Sequence, residues 1–125
     1  MVNNVGMKNL GNFLEVPVQH FIDETVVNTF SMTFLSRRIL PTMLKRQFKA
    51  GIINVASVRA LVSFPRMPGY SGTKRFNDYF SRSLSYEVEG KWNINLEKVD
   101  VMSLRPMYVT SQMTKQIKGP HVITP

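Results

Sequence analysis

The stretch GYSGTKRF, Gly69 to Phe76, sets a phenol at Tyr70 and an ammonium at Lys74 four residues apart. Residues at that separation share one face of a helix, so the pair reads either as a proton-transfer couple or as two surface residues on one turn. A free tyrosine titrates near pH ~10, and an adjacent ammonium favours the phenolate, which would bring proton exchange by Tyr70 closer to neutrality. Two further polar residues fall within reach of the pair. Ser57 directly follows the apolar run Ile52-Ile53-Asn54-Val55-Ala56, and Asn28 lies in the helical pattern that precedes that run.

The elements that must position these residues are legible from punctuation and periodicity. Met1 to Val5 reads as the tail of a strand entering a turn at Asn3-Asn4-Val5-Gly6, and Asn12 to Pro17 as loop. A short helix from Val18 precedes a longer one over about Val26 to Gln47. Its apolar stripe is Val27, Phe30, Phe34, Leu35, Ile39, Leu40 and Met43, with a kink expected at Pro41. The β-branched run Ile52–Ala56 predicts a strand covered on both faces. A second helix follows from Pro68 or Tyr70 to about Glu89, stopped by Gly90, with Phe76, Tyr79, Phe80, Leu84 and Val88 as its expected buried stripe. Val99 to Leu104 predicts a third strand ending at Arg105-Pro106, and a short helix is expected from Ser111 to Lys118. Strand, helix, strand, helix, strand implies an α/β fold with a parallel sheet. Ligands of such sheets sit beyond the carboxyl ends of the strands, the rim that holds Asn4, Ser57 and Pro106.

Composition bounds the rest. The 125 residues, 43% of them hydrophobic, suit a single globular domain. A net charge of +8 favours anionic partners, but the basic residues are scattered and not interleaved with aromatics, which argues against nucleic acid. No cysteine is present, so thiolate catalysis, disulfides and Cys-based zinc sites are excluded. His20 and His121 are isolated and do not form a metal site. No apolar run approaches the ~20 residues of a membrane span, since FSMTFLSRRILPTML is broken by Arg37 and Arg38, and no signal peptide is visible.

Asn3-Asn4-Val5-Gly6, the helical Asn28, Ser57 and the Tyr70/Lys74 pair, in that order, resemble the short-chain dehydrogenase/reductase family with its N-N-x-G, Asn, Ser and Y-x-x-x-K pattern. The resemblance implies the C-terminal half of a Rossmann-like doubly wound sheet and reduction of a carbonyl by hydride from a nicotinamide. Such a site needs a donor at the carbonyl oxygen and an acid to supply the proton. By resemblance Tyr70 is that acid, Lys74 assists it and bonds the nicotinamide ribose, Ser57 orients the substrate carbonyl, and Asn28 holds a water linking Lys74 to solvent. Asn3, Asn4 and Gly6 brace the sheet and shape the adenine side of the cofactor site. Pro106, Val109 and Ser111 belong to the segment that contacts the nicotinamide carboxamide, with Met107 in place of a usual glycine and Ser111 where a threonine is common.

The wording VNNVGM, LPTML, YSGTK and SLRPMYV is most similar to the branch holding very-long-chain 3-oxoacyl-CoA reductases and 17-beta-hydroxysteroid dehydrogenases. That branch implies NADPH as cofactor, with NADH left open, a 3-oxoacyl-CoA or steroid ketone as substrate, and the endoplasmic reticulum as location, or the cytoplasm if the chain is complete as given. Nothing but Met1 and Val2 precedes Asn3, so the family's glycine-rich strand-turn-helix does not appear, and Trp92 to Leu96 reads as an insertion. The expectation is one partial domain over residues 1–125 whose uncovered sheet edge pairs with a second copy or another chain. A catalytically silent relative serving as an interaction or assembly subunit is the alternative reading.

Overall fold

The computed structural model describes residues 1–89, 98–109, 112–114 and 122–123. Three parallel strands form the central layer in the order β1 (Val2–Asn3), β2 (Ala50–Val55), β3 (Val99–Leu104). The register sets Asn3 beside Asn54 and Val55 beside Leu104, so all three carboxyl ends share one rim, as the strand and helix order predicts. Pairing continues past β2, with Ala56 N donating to Leu104 O at 2.8 Å and Val58 N to Pro106 O at 3.0 Å. This carries Ser57 onto the rim directly opposite the Arg105-Pro106 exit.

The two helices expected before β2 are a single run. Helix α1 (Val18–Thr25) passes through a wide π turn (Val26–Phe30) into α2 (Ser31–Leu44), with Pro41 tolerated inside it. Thr25, Thr29, Ser31 and Thr33 each donate a hydroxyl to the carbonyl four residues back. Such back-bonding loosens and bends a helix, and here it surrounds the π turn that holds Asn28. Helix α3 (Pro68–Val88) starts with proline at its first position, where the missing N–H costs nothing. The connection before it carries a short 3-10 turn (Val58–Ala60) and Arg66 at φ 68, whose carbonyl accepts from Gly11 N at 3.0 Å. This contact ties the connection to the loop that follows β1.

The buried faces of the helices differ from the aromatic stripes expected of them. On α3 the residues turned inward are Ser71, Thr73, Lys74, Asn77, Asp78, Ser81 and Val88, while Phe76 and Tyr79 are exposed. On the long first helix the buried line is Glu24, Asn28, Met32, Ser36 and Met43, with Phe30, Phe34 and Leu35 exposed. Polar bonding to the sheet explains the inversion. Asn3 Nδ2 donates to Asn54 Oδ1 at 2.7 Å and to Ser36 Oγ at 3.2 Å, and Asn54 Nδ2 donates to Ser81 Oγ at 2.9 Å. Buried polar groups placed this way are satisfied by one another, and small side chains let the helices come close. The apolar core is correspondingly small, with Met43, Ile52 and Val99 at its centre and Ile39, Leu40 and Val101 packed against it.

Beyond β3, β4 (Tyr108–Val109) pairs in parallel with β5 (Val122–Ile123), a two-strand element with no counterpart in the sequence reading. Of the helix expected over Ser111 to Lys118, the described part is a 3-10 turn at Gln112–Thr114. Ser111 itself, His121 and the insertion at Trp92 to Leu96 lie outside the described residues. No described helix is long and apolar enough to cross a membrane, and among the described residues no acidic, His or Cys cluster could hold a metal.

Candidate active site

Ser57 lies two residues past β2 in extended backbone and caps the 3-10 turn, its Oγ accepting from Arg59 N at 3.2 Å. Because that bond uses a lone pair, the hydroxyl proton stays free to donate. It lies close enough to Tyr70, the third residue of α3, to favour the phenolate. One turn on, Lys74 is 4% exposed, its Nζ donates to Val55 O at 2.8 Å and lies 5.7 Å from the Tyr70 ring centre. Hydroxyl, phenol and ammonium therefore converge at the carboxyl end of β2.

The electrostatics depart from the expectation drawn from spacing. The phenol of Tyr70 is held above its ordinary value, not below it. Burial dominates, the Ser57 bond opposes it, the Glu24 carboxylate adds to it, and the Arg59 guanidinium opposes it. Burial likewise pushes the Lys74 ammonium down to about 8. Lys74 is spent on a backbone carbonyl inside the protein, and the charges that reach the phenol come from Glu24 and Arg59.

Asn28 is brought to the site, but its side chain is already occupied. Its Nδ2 donates to Met7 O at 2.8 Å and Thr73 Oγ1 at 3.0 Å, while its Oδ1 accepts from Met7 N at 2.8 Å. Asn28 thus clamps the turn after β1 to α3, and the water-holding role assigned to it would fall on the side chain's remaining lone pair or on the π turn's backbone. Gly6 sits where a Cβ would come within 3.4 Å of both Asn28 Oδ1 and Lys74 Nζ, so its lack of a side chain keeps the space beside the ammonium open. Asn3 serves the sheet through Asn54 and Ser36 and is only partly exposed, whereas Asn4 is exposed at the strand end. Pro106 and Val109 line the exit of β3 on the same rim, with Tyr108 between them accepting from Arg59 Nη2 at 2.8 Å.

Glu24, Arg59 and Thr73 escaped the sequence reading. Arg59 stacks its guanidinium over Phe64 at 4.3 Å, next to an open groove of about 650 Å³ bounded by Phe64, Pro68, Gly72 and Arg75 that does not include Ser57, Tyr70 or Lys74. For Glu24 a signal existed, since it stands four residues before Asn28 on the same helix face.

A nicotinamide ribose is the group this pocket would have to receive. The donors fit a diol: Lys74 Nζ has a single hydrogen bond among the described residues, leaving two N–H groups beside the space kept open by Gly6, with the Tyr70 ring centre 5.7 Å away.

The chain is 37% identical over 119 residues to very-long-chain 3-oxoacyl-CoA reductase-B of Danio rerio, covering 92% of this chain and 36% of the relative. It is 36% identical over 127 residues to very-long-chain 3-oxoacyl-CoA reductase of Bos taurus, covering 96% and 37%. The chain thus spans about a third of the length of the curated relatives it matches. A short chain dehydrogenase/reductase from Burkholderia phymatum in complex with NAD superposes with a TM-score of 0.81 at 24% identity, over 91% of this chain and 39% of that one, which establishes the Rossmann-like fold. The short chain dehydrogenase family model matches residues 1–121, and the chain belongs to that family of oxidoreductases.

Proposed function

We propose that this chain carries the proton-donating portion of a carbonyl reductase that uses NADPH and acts on a 3-oxoacyl-CoA. The observation that carries the reading is the meeting of the Ser57 hydroxyl, the Tyr70 phenol and the Lys74 ammonium at one strand end. The names of the relatives support the substrate class, and the +8 charge suits the polyanionic NADPH and acyl-CoA.

Reduced nicotinamide, when bound, supplies the hydride. The chain's own residues handle the oxygen that hydride transfer charges. Ser57, its lone pair engaged by Arg59 N, donates to the carbonyl oxygen and holds it in front of the phenol. Tyr70 gives its proton to that oxygen as charge develops. A phenol held above its ordinary value is fully protonated at neutral pH, the state a reductase requires. Lys74, with its ammonium at about 8, releases a proton near neutrality and can restore the one Tyr70 has lost. Asn28 and Thr73 keep the turn after β1 at a fixed distance from this pair.

The test is turnover of a 3-oxoacyl-CoA by the purified chain, followed through loss of the reduced-nicotinamide absorbance, with NADPH binding measured separately. Tyr70→Phe is expected to lower the rate by about 10²–10⁴-fold with NADPH affinity little changed. Equal rates in the two proteins, or no binding at millimolar cofactor, would refute the reading.

A further inference from the structure

Glu24 is a carboxyl that the proposed chemistry does not use, and its surroundings are unusual for one. It lies at the end of α1, is 1% exposed, and is reached only by Asn9, whose N donates to Oε1 at 3.4 Å and whose side chain also favours the carboxylate. Oε2 is buried without a partner. Across from it stands Gly69, the residue before Tyr70, where a Cβ would come within 2.8 Å of Oε2 and 3.0 Å of the Phe21 ring. The carboxyl is therefore sealed beneath the first turn of α3, which has no side-chain cap of its own. A packing role alone leaves the orphaned oxygen unexplained, because an amide or a thioether would fill the space without burying a charge.

We propose that Glu24 is a positioning residue for Tyr70, its carboxyl packed beneath the first turn of α3 and acting on the phenol through its charge. The proposal rests on the reductase reading only for its consequence in catalysis. Burial raises the carboxyl above its ordinary value, with Asn9 opposing, so Glu24 holds a proton longer than an exposed glutamate does. Once ionised, it opposes loss of the phenol's proton from beneath the residue that precedes Tyr70, while the Arg59 guanidinium favours that loss. The titratable groups of the surrounding elements are Lys8 in the loop, His20 and Asp23 on α1, Arg59 on the 3-10 turn, and Tyr70, Lys74 and Arg75 on α3. Asp23 is bonded to Gln19, Arg59 to Tyr108, Lys74 to Val55 and Arg75 to Ala60 and Tyr79. No charge among them competes with burial and Asn9 at Glu24, and Tyr70 is the group whose titration feels it. Two groups that interact titrate as a pair, so each must shift the other.

Spectrophotometric titration of phenolate in Glu24→Gln tests this without cofactor or substrate, the Tyr70 component being isolated by subtracting the curve of Tyr70→Phe. Removing the charge is expected to move Tyr70 ionisation to lower pH, with the alkaline limb of reductase activity moving the same way. A Tyr70 curve that coincides with that of the unaltered chain overturns the proposal. Should Glu24→Gln not fold, the carboxyl carbon of Glu24 is followed by NMR in the unaltered chain and in Tyr70→Phe. The high-pH inflection is expected to vanish in the variant, and identical curves overturn the proposal. A shifted phenol in a chain that reduces nothing would instead sink the reductase reading and leave this one standing.

Discussion

Lys74 carries its ammonium to a place where water does not follow and a single carbonyl meets it. With a folded value of about 8 against an ordinary 10.5, the unfolded chain binds more protons than the folded one between those limits. Stability must therefore rise with pH across that window, and the cost of the buried charge is fully present below it. Between pH 7 and about 9.5 the gain is about 2 kcal/mol as an upper figure. Urea unfolding of the free chain should show it, and Lys74→Met should give a nearly flat profile over the same range. An equal slope in both would mean that Lys74 is hydrated. Tyr70, Lys74 and Ser57 were legible as a set because residue type and spacing encode which side chains can meet. Their charges were not, because burial belongs to the surroundings: the same spacing that promises a lowered phenol yields a raised one once both groups leave water.

At the scale of elements, the strands and the second long helix could be read within a few residues, since β-branched runs and Gly or Pro boundaries act locally. Which helix face turns inward could not. Phe76 and Tyr79 recur at helical spacing as well as Asn77 and Ser81 do, and only the partner layer decides between them. That layer presents Asn54, wholly buried and shared between β1 and α3 through Asn3 and Ser81. Asn54→Leu would strand both of those partners, so the chain should lose about 2–4 kcal/mol, read as a lower urea midpoint at unchanged slope. A loss under ~0.5 kcal/mol would show that water replaces the network. Gly72 gives the opposite expectation. It lies inside α3, and a methyl group on its Cα would meet nothing within 4 Å, so Gly72→Ala should stabilise by about 0.5–1 kcal/mol.

For the whole molecule, the apolar surface left exposed sets how much stability folding can gain. The described surface carries many large exposed apolar groups, among them Phe30 stacked on Phe34, and Phe76, which stacks on the half-buried Phe80. Inside, the described core has few fully buried apolar side chains, and the polar network that replaces them adds specificity more than free energy. A fold with so little apolar burial sits at the low end of ordinary stability, and anything that covers the exposed aromatic faces adds to it by mass action. The thermal midpoint is therefore expected to rise with protein concentration, as it does when a second copy covers such faces in the folded state alone. Serine at Phe34 and Phe76 together should lower the midpoint at high concentration and abolish its concentration dependence, while changing little in dilute solution, where those rings already face water. Melts that coincide from micromolar to millimolar chain would mean that the exposed faces are tolerated as they stand, and that the small core suffices alone.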